Sequence, residues 1–332
     1  MHKQDFLSKS QTDAMRGISI IIIILYHLTI SGINNTWIFP FAYGRFVGVA
    51  IFFLLSGYAL FEQYKINGIK YLNGFLLRKI PRLYVSFIIL YLLFFIYDIF
   101  FLQCKDLVPT TILNSIFTFS FGGDRLWYLC AQTIFYIFFY IIFLIERLSD
   151  LQKIISILIC IFFYTVCCIF IGFDITWYFN AAWFPLGMLV SKNKDLIFSL
   201  LYRFRLVILI GTFLVMLCLF AFLYFFGYVI NGYDLYYIVQ IIIILNFIPF
   251  LIIFFQYIKI NILSLIGKYS MELYITHNSI LMCIFDWKIN SVFQICFLII
   301  FSIVLSIIIK FVVNKICYTK LFKVGIINDK DN

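Results

Sequence analysis

Charge is scarce in this sequence: only 12% of its 332 residues are Asp, Glu, Lys or Arg, and only 15 are acidic. Proline is rarer still, with 5 residues, and no stretch rich in Pro, Gly or Ser divides the chain, so nothing marks a linker between domains. There is no low-complexity tract and no soluble extension of domain size. The lack of a convincing internal repeat argues against inverted-repeat transporters. Histidine occurs 3 times, too scattered for a ligand cluster, and the 9 cysteines show neither metal-like nor redox-like spacing, so metal binding has no support. Cys160, Cys167 and Cys168 fall inside one apolar stretch, where a free thiol packs as a small hydrophobe. The first hydrophobic run has no small-residue cleavage site and reads as a retained helix rather than a removed signal peptide.

What fills the chain instead is hydrocarbon. Hydrophobic residues make up 64% of it and the mean hydropathy is +1.07, values foreign to soluble domains. About ten runs long enough to cross a bilayer begin near Gly17, Phe46, Leu83, Leu126, Ile154, Trp177, Leu206, Leu235, Tyr269 and Ser291. The prediction is an all-α, polytopic transmembrane bundle: one membrane domain over 1–332, with short tails at 1–16 and 314–332. Such a count puts both termini on one side, and short cytoplasmic loops retain Lys and Arg. All of the 25 basic residues except Arg45, Lys105, Arg125 and Lys288 fall on the side of the termini. Both termini are therefore predicted to be cytoplasmic, in a bacterial cytoplasmic membrane. The net charge of +10 expresses this bias and is no sign of a nucleic-acid partner.

On the outer side, Asp106 to Arg125 breaks the pattern, with Pro109 placed to open a short helix that Gly122 and Gly123 close. It reads either as a re-entrant or interfacial segment or as a connecting loop. The tryptophans Trp37, Trp127, Trp177, Trp183 and Trp287 all fall in outer loops or outer halves of spans, with Phe39, Phe41 and Tyr43 beside the first. A one-sided set serves as interfacial anchors or as a mouth that stacks sugar rings.

Inside the first span, Arg16 is followed eleven positions later by His27. Eleven residues make about three helical turns, so the two side chains return to one face roughly 16 Å apart. Ionisable groups on membrane helices are costly and face a bundle interior or a polar cavity, which makes the pair a functional-site candidate. The plainer reading is a hydrogen-bonded helix contact.

Six stretches in order, RGISIIIIILYH from Arg16, GVAIFFLLSGYAL from Gly48, LLRKIPRLY around Arg78, LWYL from Leu126, FPLGMLV from Phe184 and IGKYSMELYITH from Ile266, resemble the acyltransferase 3 family of integral-membrane enzymes. Ala50 departs from the pattern, since many relatives carry a polar or acidic residue there. The sequence runs only a short way past its last helix, so the extracytoplasmic hydrolase-like domain of some relatives is not expected.

The resemblance implies an O-acyltransferase, commonly taking acetyl from acetyl-CoA to a hydroxyl of a sugar, here a lipid-linked or exported cell-surface glycan. It implies His27 as the general base, with an acyl-imidazole formed on His27 as the variant, and Arg16 at the cytoplasmic edge for the anionic phosphates of CoA. Arg78, Lys79 and Arg82 match the family's arginine motif, and bind either CoA phosphates or lipid headgroups. Trp127, Tyr128 and His277 are candidates for acceptor binding. Glu272 is spaced one helical turn from Lys268 as an ion-pair partner, and His2 lies in a polar tail. Membrane lipids are the other expected partners, and oligomeric state is open. Two further classes stay on the table: a transporter or flippase of a small acid or glycan, and a membrane glycan polymerase.

Overall fold

The computed structural model describes residues 6–31, 41, 44–97, 120–121, 124–226, 233–284 and 291–317. Trp37, Phe39, Tyr43, Trp287, His2 and most of the 106–125 segment lie outside them. The described chain is helical apart from one pair of two-residue strands, β1 (Ser120–Phe121) and β2 (Asp124–Arg125), which pair antiparallel. The helices are α1 (Lys9–Ile30), α2 (Arg45–Asn67), α3 (Phe75–Tyr97), α4 (Trp127–Phe143), α5 (Asp150–Ile171) and α6 (Trp183–Lys192). They continue with α7 (Lys194–Arg203), α8 (Arg205–Phe226), α9 (Tyr233–Tyr257), α10 (Asn261–Lys268), α11 (Ser270–Ile284) and α12 (Ser291–Cys317).

Local signals set several ends. Both α1 and α5 open on a capping box, Ser8 with Gln11 and Ser149 with Gln152, each serine and glutamine satisfying the other's backbone N–H. α5 ends at Gly172, whose φ of 79° is the left-handed conformation that stops a helix at little steric cost.

Among the described residues, α1, α2 with its 3-10 continuation, α5, α9 and α12 are long and apolar enough to cross a membrane; the pair α7 and α8, bent by 78°, adds a sixth if taken as one span. On α5, Phe162, Phe163 and Phe170 are exposed, as suits hydrocarbon rather than water. The run read as a span from Trp177 is different in the structure. It holds a 3-10 turn at Ile175–Trp177 and then α6, whose 10 residues reach only about 15 Å. Asp174 caps the 3-10 turn: its carboxylate accepts from the Thr176 N–H at 3.0 Å and from the Thr176 hydroxyl at 2.7 Å.

The chain forms two compact units, residues 1–59 with 186–270, and 60–185 with 271–332. In the first, the organising contact is a crossing of α1 and α10 at glycines. A Cβ on Gly17 would lie 2.1 Å from the Leu263 carbonyl oxygen, and one on Gly267 would lie 1.7 Å from the Asp13 carbonyl oxygen. Both neighbours are backbone, so no side chain can swing away. The same device recurs where α2 meets α1, at Gly48 against the Ser19 carbonyl, and where α6 meets α2, at Gly187 against the Leu54 carbonyl. In the second unit the core is aromatic: Phe75, Phe135, Phe139 and Phe143 are fully buried, with Phe139 and Phe143 stacked at 4.1 Å. Lys153, 3% exposed, donates to the Tyr64 hydroxyl at 2.7 Å and lies over the Tyr64 and Phe143 rings, which lets a buried ammonium sit near a helix start.

Gly267→Ala is expected to lower the thermal unfolding midpoint in detergent by the equivalent of about 1–3 kcal/mol, the usual range for overpacking. Gly211→Ala on α8, where a Cβ meets nothing within 4 Å, is expected to leave the midpoint unchanged or raise it. Equal midpoints for the two variants would show that the α1–α10 crossing does not limit stability.

Candidate active site

α1 carries two of the residues singled out by sequence. The Arg16 guanidinium pairs with Asp13 at 3.3 Å, Asp13 being buried and the Arg16 side chain 32% exposed. Asp13 was not among the candidates read from sequence, yet its carboxylate orients Arg16 and its carbonyl abuts Gly267. An acid three positions before an arginine in so apolar a helix is the signal that marks it. His27 is half-buried, its ring edge-on to Tyr26 at 5.1 Å, and its carbonyl accepts from the Ser31 N–H where the helix ends.

The remaining candidates belong to the second unit. At the start of α3, Arg78 donates to the Tyr71 carbonyl at 2.7 Å and to the Asn73 carbonyl, so its planar fork clasps the 3-10 turn of Gly68–Leu72. Lys79 is half-buried on the same turn. Arg82, one turn further, is exposed at its tip and acts electrostatically on Glu272 and Cys317.

Glu272 is drawn into a ladder between α11 and α12. Its carboxylate pairs with Lys310 at 3.6 Å, a partner distant in sequence, where helical spacing had offered Lys268. One turn on, the hydroxyls of Thr276 and Ser306 are 3.2 Å apart. Ser302, Ser306 and Lys310 recur every fourth residue and so share one face of α12; Glu272 and Thr276 do the same on α11. Glu272 with Lys310 and Thr276 with Ser306 meet across the pair, the arrangement that makes polar side chains tolerable in hydrocarbon.

His277, 1% exposed, stands beside this ladder. Its Nδ1 lies 2.9 Å from the Leu273 carbonyl. A carbonyl only accepts, so Nδ1 carries the proton and Nε2 is the basic nitrogen of the neutral ring. The Tyr274 ring is 5.9 Å from that of His277 and 5.2 Å from that of Tyr128, which brings the LWYL and YITH stretches together. Trp127 is half-buried, T-shaped to Tyr128 at 6.4 Å. Tyr128 donates to Oε1 of Gln132 at 3.2 Å, a fully buried amide one helical turn away that sequence reasoning passed over. Arg16 and His27 thus share α1, while Arg82, Trp127, Tyr128 and His277 lie among the polar and aromatic contacts of the second unit; Arg78 serves a turn.

These features define a helical membrane protein with ionisable and aromatic side chains buried or half-buried among its helices. Residues 10–311 match the profile of the family described as Acyltransferase domain, and the chain belongs to that family. It is 36% identical over 93 residues to a protein of Listeria monocytogenes serovar 1/2a named Peptidoglycan O-acetyltransferase OatA, a stretch covering 27% of this chain and 14% of that one. It is 37% identical over 82 residues to a protein of Staphylococcus aureus strain COL named "Putative O-acetyltransferase", covering 24% of this chain and 12% of that one. The matched stretches thus span about a seventh or less of the length of these relatives. No solved structure matches the chain.

The ladder makes a direct prediction. Lys310→Met leaves the buried Glu272 carboxylate without its closest cation. It is expected to destabilise toward the lower end of the roughly 3–5 kcal/mol typical of breaking a buried pair, because the Lys310 side chain is 30% exposed and Arg82 still acts on the acid. Adding Glu272→Gln to that variant is expected to recover part of the loss. If the double variant melts lower than Lys310→Met, the pair is not the coupling unit.

Proposed function

We propose that this protein is a multi-pass membrane O-acyltransferase that moves acetyl from cytoplasmic acetyl-CoA to a hydroxyl of a lipid-linked or exported cell-surface glycan. Membership of the acyltransferase family supports the reaction class. The observation that carries the residue assignment is that α1, which bears the ion-paired Arg16 and the half-buried His27, is clamped by backbone contact at Gly17. The charge bias along the sequence supports a ten-crossing arrangement in a bacterial cytoplasmic membrane with both termini inside, the sixth passage being the 3-10 turn together with α6.

In this reading Arg16 meets CoA phosphates from the cytoplasmic edge, where a guanidinium's fork suits phosphate oxygens. Arg82, Lys79 and Arg78 add positive charge at the start of α3. His27, some 16 Å along α1 from Arg16, removes the proton of the acceptor hydroxyl as its oxygen attacks the thioester carbon. Acylation of His27 itself, followed by transfer to the alcohol, is the alternative order of events. Trp127 and Tyr128 present aromatic faces on which a sugar ring stacks, and His277 adds a polar contact to the acceptor.

The test is mass spectrometry of the surface glycan from cells lacking the protein, complemented with wild type or His27→Ala at matched membrane levels. Wild type is expected to restore ester-linked acetyl and His27→Ala to leave it reduced by at least about 100-fold, in the range of general-base loss. Normal acetylation by His27→Ala would make the histidine structural. If wild type adds no acyl group but alters glycan export or chain length, a transporter or a polymerase takes the place of the enzyme.

A further inference from the structure

Three glutamine amides among the described residues donate to carbonyl oxygens. Nε2 of Gln11 donates to the Phe255 carbonyl at 3.0 Å, Nε2 of Gln256 to the Phe6 carbonyl at 2.7 Å, and Nε2 of Gln294 to the Ile284 carbonyl at 3.2 Å. Gln132 differs from these three. It is 1% exposed, its Oε1 is held by the Tyr128 hydroxyl, and its Nε2 has no hydrogen-bond partner among the described residues. The neighbouring buried hydroxyl of Thr133 is not in this position, because it donates to the Leu129 carbonyl at 2.8 Å. A buried donor left without an acceptor is costly and rare in folded proteins, and one whose amide is already fixed at its other end is oriented as well as unused.

The location narrows the missing acceptor. Gln132 follows Tyr128 by one turn of α4, about 6 Å along the axis. Tyr128 packs on Tyr274, which in turn packs on His277. The amide therefore belongs to the contact chain that links two of the stretches typical of the acyltransferase family, in a place sealed from solvent. A fixed N–H there has the properties an oxyanion donor needs: it is oriented by the bond at Oε1, buried, and not committed to an acceptor among the described residues.

We infer that Nε2 of Gln132 donates its hydrogen bond to the carbonyl oxygen of the acyl group being transferred. The inference rests on the acyltransferase reading above. In the reaction the acceptor oxygen forms a bond to the thioester carbon as its proton leaves to the base, and the carbonyl π pair moves onto the oxygen that Gln132 holds. That pair then returns, the carbon–sulfur bond breaks, and the departing thiolate takes the proton from the base, yielding the ester and free CoA thiol. Negative charge is greatest on the carbonyl oxygen between the two steps, so the amide's contribution falls on turnover rather than on binding.

Gln132→Met keeps the length of the side chain and removes both polar ends. It is tested in the full chain, in membrane vesicles from cells otherwise lacking the protein, supplied with radiolabelled acetyl-CoA. Ester-linked label is followed against acetyl-CoA concentration, and thermal unfolding is measured on the same preparations. The expected result is a kcat lower by about 10²–10³-fold, a KM for acetyl-CoA within about threefold of wild type, and an unfolding midpoint close to wild type, the removal of an unheld donor offsetting the loss of an acceptor for the Tyr128 hydroxyl. A structural amide would lose stability in step with activity. Turnover within threefold of wild type, a rise in KM at unchanged kcat, or a fall in midpoint large enough to account for the lost turnover each overturns the assignment. Gln132→Leu serves if the methionine variant does not fold, and failure of both to fold makes the amide structural and overturns it too. If wild-type vesicles incorporate no label at all, the acyltransferase reading fails first and the inference falls with it.

Discussion

The contact on which the first unit depends is backbone against backbone, where α1 crosses α10 at Gly17 and Gly267. In hydrocarbon, helices gain little from hiding apolar side chains from one another, since lipid tails are as apolar as leucine. Close packing of bare backbone and the satisfaction of polar groups take over as the forces that hold a bundle in register. Here the crossing fixes α1 at the turn holding Asp13 and Arg16, so the arginine's position along the helix, and that of His27 three turns on, follows from two missing Cβ atoms. Gly17 directly follows Arg16 and Gly267 directly precedes Lys268. The glycines that make the crossing and the charged residues beside it are thus parts of one local design.

The second unit is held differently. Its α11 and α12 match polar group to polar group, Glu272 with Lys310 and Thr276 with Ser306, and the ladder seats His277 with one nitrogen committed to the Leu273 carbonyl. Any one of these groups alone would be expensive in a membrane interior; in opposing pairs they specify which faces of two otherwise featureless apolar helices meet. A surface of isoleucine and phenylalanine offers many near-equivalent registers. A carboxylate and an ammonium facing each other across it offer one.

Much of this was legible in the sequence, and what was not has a physical reason. Hydropathy alone specifies an all-helical membrane domain, and the Ser8/Gln11 and Ser149/Gln152 boxes mark helix starts locally. The apolar run from Trp177 is continuous by hydropathy, yet it is divided between a 3-10 turn capped by Asp174 and a helix of only 10 residues, a division that window hydropathy does not register. Glu272 was paired with Lys268 by helical spacing, whereas its ion pair is with a residue 38 positions away on another helix. The fourfold spacing of Ser302, Ser306 and Lys310 was visible, but not the helix it faces. Gln132, four residues after Tyr128, stood in plain view as an i, i+4 pair; its significance lies in burial and in an unused donor, which only coordinates reveal.

Arg16 and Arg78 show why a basic motif is not by itself a phosphate site. Arg78 commits its guanidinium to two backbone carbonyls of a turn, a use that shapes the loop and holds the charge in place at the same time. Arg16 instead gives one nitrogen to Asp13 at 3.3 Å while keeping a third of its side chain exposed. A guanidinium carries five N–H donors, so a single contact with a carboxylate sets its direction without filling its fork. Against the buried acid, which lessens its net charge, the guanidinium is held in one direction while part of it stays exposed. Orientation favours anion binding and the neighbouring acid weakens it. Under the proposed acetyl-CoA reaction, in which free CoA leaves after each transfer, that balance suits repeated exchange better than a naked cation would.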